Sequence, residues 1–271
     1  MVVRDLLIRG LLAGLLAGVL ALGVAGLLGE PQVSRAIAVE TQLYQQQHKP
    51  AEPVIVSRDV QSTVGLATGV LVVGTALGGL FALGFAFAYG RIGSIGPRVT
   101  ALAVAGAGFV AVYLVPFLKY PPNPPSVGQP ATLDHRTELY FGLMVISVLT
   151  VLGAIIVGRR LAPRFGTWNA ALLTAGAFIA VTAAIFAVMP GLNEVPPGFP
   201  ATTLWQFRIA SLATQLTMWT AIGLVFGALT DRSPADGRRT ARQSARVVQR
   251  AIEGRHGVKD LRRHNVYRGH G

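Results

Sequence analysis

Six long apolar runs constrain this chain more than any other feature: Leu6–Leu28, Val64–Tyr89, Val99–Leu118, Leu139–Gly158, Thr167–Met189 and Leu204–Thr230. A helix needs about 20 mostly apolar residues to cross roughly 30 Å of hydrocarbon. Each run is long enough. The fold class expected is therefore all-α: a polytopic membrane bundle of six transmembrane helices over residues 1–230, followed by a basic tail at 231–271. The first run is longer than a signal-peptide core and no clear small-residue cleavage site follows it, so it reads as a retained span. Only 13% of the 271 residues are charged, well below an ordinary soluble domain.

The net charge of +12 suggests nucleic acid until its location is considered. The tail carries ten Arg and one Lys against three Asp and one Glu. No aromatic platform or nucleic-acid motif accompanies that charge. Retention on the cytoplasmic face and attraction to anionic lipid account for it, and the tail itself is expected to be disordered. Seven further arginines fall into register with it, while the other three loops are mixed or acidic. Arg4 precedes run one and Arg9 lies in its first turn, Arg91 and Arg98 lie between runs two and three, and Arg159, Arg160 and Arg164 between four and five. In a six-span chain all these sites share one side. The loops 30–63, 119–138 and 190–203 share the other. Both termini are thus expected in the cytoplasm, with the protein in the inner or plasma membrane.

The loops also hint at repetition. Val115-Pro116 precedes Pro121-Pro122-Asn123-Pro124-Pro125 and then Leu139-Tyr140-Phe141. Met189-Pro190 precedes Pro196-Pro197-Gly198-Phe199-Pro200 and then Leu204-Trp205. This pattern is compatible with three parallel helical-hairpin repeats. Glycines recur every four residues at Gly10, Gly14 and Gly18, at Gly65 and Gly69, and at Gly74 and Gly78. Such faces allow close helix packing, and a path lined by small residues is the alternative.

No metalloprotease, P-loop or nucleophile-elbow motif is present, and the 271 residues include no cysteine, so an enzyme is not the expectation. No cofactor is expected either. Candidate metal ligands gather on the side opposite the arginines. Glu40, Tyr44 and His48 have the spacing of one helical stripe. Asp134, His135 and Glu138 lie within five residues, and Glu194 stands in the third loop. Imidazole and carboxylate suit Co, Ni or Zn. Arg208, about one turn inside run six, needs a partner or an aqueous surface; Glu194 and Glu138 are the candidates. Gln206 and Gln215 suit interhelical hydrogen bonds, with a substrate path as the alternative.

Several strings, in order, carry a resemblance. They are Gly29-Glu30-Pro31 with Ala36-Ile37-Ala38-Val39-Glu40, Val56-Ser57-Arg58-Asp59-Val60-Gln61-Ser62-Thr63-Val64-Gly65-Leu66, Phe85-Ala86-Phe87-Ala88-Tyr89-Gly90-Arg91, Pro116-Phe117-Leu118-Lys119-Tyr120-Pro121-Pro122-Asn123-Pro124-Pro125 and Asn193-Glu194-Val195-Pro196-Pro197-Gly198-Phe199-Pro200. With them the chain, from about residue 5 to about 232, resembles the predicted cobalt transporter family of CbtA-like integral membrane proteins. The resemblance implies a membrane component of a Co²⁺ uptake system tied to cobalamin synthesis, working with a small CbtB-like membrane partner. A homo-oligomer is compatible with the Gly faces. The rival reading is a non-transporting scaffold that recruits a partner through those faces or the basic tail.

Overall fold

The computed structural model describes residues 2–46, 48, 55–91 and 95–231. The basic tail lies outside the described residues. Among those residues there is no strand, and six helices are long and apolar enough to span a membrane: α1 (Val3–Gln46), α2 (Arg58–Ala88), α3 (Pro97–Lys119), α4 (Pro130–Phe165), α5 (Thr167–Val188) and α6 (Ala201–Asp231). The chain is a multi-pass membrane protein.

Several helices outrun their apolar runs. α1 passes through Pro31 and continues to Gln46. An α-helix is normally broken by proline, because the ring meets the carbonyl four residues back. Here a π-helical turn, Ala25–Gly29, widens the helix just before Pro31. Of the two further π turns, Gln61–Gly65 in α2 has no proline after it, while Phe109–Leu114 precedes Pro116 in α3, where the Val115 N–H reaches back to Val110 O. In both places the extra residue per turn relieves the proline clash. α4 runs past Gly158 to Phe165, so Arg159, Arg160 and Arg164 lie on its last turns, and Gly166 at φ +78° makes the turn into α5.

The helices that pack along their lengths are α1 with α2, α1 with α6, α3 with α6, and α4 with α5. Glycine decides the first pairing. A Cβ on Gly10 or Gly14 would overlap the carbonyl oxygen of Gly78 or Gly74. Only bare backbone allows α1 and α2 to approach this closely. The glycine stripe is thus filled by the neighbouring helix. Gly69 has open space where a side chain would stand, so it takes no part in that face. The stripe continues through the fully buried Ala13, Ala17 and Ala21 onto a core of Phe81, Phe85, Met218, Ile222 and Phe226. Phe226 meets Phe81 and Phe85 edge-on, with centroids 5.1 and 4.9 Å apart. Trp219 lies directly over Gly108, where a Cβ would collide with its ring.

The α4–α5 pair stands to one side. Leu172, Leu173, Ile179, Val181 and Val188 of α5 are exposed, as suits contact with lipid chains. α5 and α6 do not pair as α1 and α2 do. α4 touches the last turns of α3, whereas α5 and α6 are not among the packed pairs, and the hairpin repeats are not confirmed.

Candidate functional site

The loops between α3 and α4 and between α5 and α6 close one end of the bundle, and proline makes them stiff. Lys119 Nζ donates to Phe186 O (2.8 Å) and Tyr120 OH to Pro190 O (2.8 Å), which pins the end of α3 to the end of α5. Burial pushes the Tyr120 phenol up from its ordinary value, so it remains a donor. Ser126 Oγ donates to Ala36 O, joining the same loop to the extension of α1. Arg35 on that extension donates to Gln206 Oε1 of α6 (2.8 Å), the interhelical role expected of Gln206.

A cavity of about 400 Å³ lies beneath these loops. The rings of Tyr113, Phe117, Tyr140 and Phe141 with Leu192 form its apolar wall, and Asn123, Arg136, Thr137, Glu194 and Arg208 are among its polar residues. Glu194 is held by three donors. Thr132 Oγ1 lies 2.6 Å from Oε1, the Gln129 N–H 3.1 Å from Oε2, and Arg136 Nη1 3.2 Å from Oε2. These donors, the Thr132 hydroxyl first, hold its carboxyl below the ordinary value, against the opposing effect of burial. Arg136 reaches the carboxylate by crossing Gly128, which sits at φ +117° and whose missing Cβ leaves the guanidinium its room. Arg208 Nη2 donates to Asn123 Oδ1 (3.0 Å). The Arg208 partner is thus an amide, while Glu194 belongs to Arg136.

The other sequence candidates lie nearby without converging. Leu133, Arg136, Thr137, Tyr140 and Phe141 line the cavity from α4. Asp134, His135 and Glu138 fall on its other faces, all exposed. Glu40 and Tyr44 share a helical stripe on α1. The helix ends at Gln46, however, and His48 follows in a turn at φ +52°, off that stripe. Among the described residues no three His, Asp or Glu side chains gather closely enough to hold a metal ion. Sequence reasoning missed Arg136. Its signal was present: one turn before Tyr140, it shares the helical face that the aromatics mark.

No curated protein and no solved structure matches this chain significantly. A family model described as "Probable cobalt transporter subunit (CbtA)" matches residues 3–231, which takes in all six helices and both proline-rich loops. The chain belongs to this family of probable cobalt transporter subunits.

Proposed function

We propose that this chain is the membrane-embedded part of a system that takes up a divalent cation, Co²⁺, for cobalamin synthesis, and that it performs no catalysis of its own. The family match across all six helices carries this reading. The proline-rich end is the outer face and both termini are cytoplasmic. The basis is the positive-inside rule applied to Arg4, Arg9, Arg91, Arg98, Arg159, Arg160 and Arg164 together with the ten Arg of the tail. Members of the family are described as transporter subunits, so a second chain completes the system; a small CbtB-like membrane protein is the proposed partner.

On the outer face the exposed Asp134, His135 and Glu138 collect the ion, with Glu40 and His48 as further outlying ligands. Sites of this kind bind weakly and in succession, which favours release as well as capture. Glu194 is a latch rather than a ligand in this reading, since three donors already occupy its oxygens.

The test is Co²⁺ accumulation in cells with and without the chain and its partner. Asp134→Asn combined with Glu138→Gln should lower accumulation at unchanged membrane abundance. Unchanged accumulation would remove these ligands from the proposal. Accumulation indifferent to the whole chain would remove the transport reading. An externally accessible C-terminus in intact cells would reverse the orientation.

A further inference from the structure

Three residues that line the proline-end cavity each carry a buried hydrogen-bond donor with no partner among the described residues: the Tyr113 hydroxyl, Arg136 Nε and Arg208 Nε. Tyr113 is only 9% exposed. Glu194 is the one carboxylate in the lining, and its oxygens are already taken by Thr132, Gln129 and Arg136. Two guanidiniums against one carboxylate leave the cavity positive.

That balance decides the kind of ligand. Arg208 is the eighth residue of α6, about 10 Å from the start of the helix at 1.5 Å per residue. A charge at such depth is costly unless it is paired or wet, and its neutral partner Asn123 does not cancel it. A bare cation placed here would add repulsion. An oxyanion removes both costs. The guanidinium fork matches carboxylate and phosphate geometry, and a phenol adds a donor beside it. Phe117, Tyr140 and Leu192 supply an apolar surface for an organic body, and about 400 Å³ is ample for a small one.

We propose that this cavity is a binding site for an organic oxyanion, a carboxylate or a phosphate, held by Arg208 and Tyr113 with Arg136 as a supporting charge. The ligand is either an anionic lipid headgroup or a small soluble anion; the shared chemistry is the negative oxygen. This site goes beyond the Co²⁺ reading and stands or falls separately from it.

The test is a titration of the full chain in maltoside detergent with phosphatidylglycerol, succinate or inorganic phosphate, read by thermal melting. A saturable rise in melting temperature is expected. A rise with phosphatidylglycerol alone assigns the site to lipid. A rise with succinate or phosphate assigns it to a soluble anion. Arg208→Gln should weaken the response at least tenfold, and Arg208→Lys, which keeps the charge and loses the fork, by less. Arg160→Gln, exposed at the opposite end, should stay within twofold. Should the Arg208 variants fail to fold, hydrogen exchange of the unaltered chain decides: bound anion must protect segments 113–141 and 190–208. No saturable response to any probe, equal weakening by Arg160→Gln, or protection confined to the arginine-rich end would overturn the proposal.

Discussion

Arg136 Nη1 lies 3.2 Å from Glu194 Oε2, and through this ion pair the loop after α5 is fastened to the first turns of α4. The partners are 24% and 11% exposed in their side chains, so neither is a freely hydrated surface charge. With Thr132 and Gln129 the pair makes a four-residue clasp over the cavity.

Glu194→Gln removes the charge from that clasp and should destabilise the fold by roughly 1–3 kcal/mol, the range for losing hydrogen bonds to a charged group. The pH dependence has a definite sign. The folded-state carboxyl is held below its ordinary value of 4.5. Its contribution is therefore complete above about pH 4.5 and is lost as pH falls through the lowered value. Thermal melts of wild type and Glu194→Gln should differ at neutral pH and converge in that acid range.

Gly128→Ala attacks the same clasp from the backbone. The new methyl would overlap the Arg136 guanidinium, and φ +117° is strained for any residue with a Cβ. A loss of about 1–3 kcal/mol is expected. Melting of Gly128→Ala in the Glu194→Gln background should show less than additive loss, because both changes act on one contact set.

Gly78→Val separates α1 from α2. Its Cβ would meet Gly10 O, with Gly14 Cα only 2.7 Å away, and backbone cannot rotate aside as a side chain can. Overpacking alone costs about 1–3 kcal/mol, and this site should reach or exceed the upper end. Gly69→Ala, with open space around it, should be neutral. Size-exclusion profiles and melting temperatures of the two variants provide the comparison.

Tyr120→Phe deletes the hydroxyl that bonds to Pro190 O and should cost about 1 kcal/mol. The effect should be local. Hydrogen exchange at the end of α5 and in residues 191–195 should accelerate, while the α1–α2 contact stays protected.

Much of this fold was legible because its signals are local. Apolar run length marked six helices, and the spacing of Gly10 and Gly14 marked the face that meets α2. The full extent of α1 was harder to see, because Pro31 and a polar sequence conceal a helix that a π turn carries onward. Site legibility was poorer. Asp134, His135 and Glu138 stood out by chemistry, yet they sit on faces of α4 turned from the cavity. Arg136, two residues from Asp134, is the charged residue of α4 that lines it.

By itself, then, the sequence determined the number of membrane-length helices, the basic character of the tail and of the links between runs two and three and between four and five, and the stiffness of the proline-rich loops. These depend on hydrophobicity and backbone chemistry within a single segment. Only the tertiary structure decided that α1 pairs with α2 and α6, that Glu194 belongs to Arg136, and that Arg208 turns to Asn123, 85 residues away. Each residue rotates a helix face by about 100°, and which faces meet is settled by packing between distant segments.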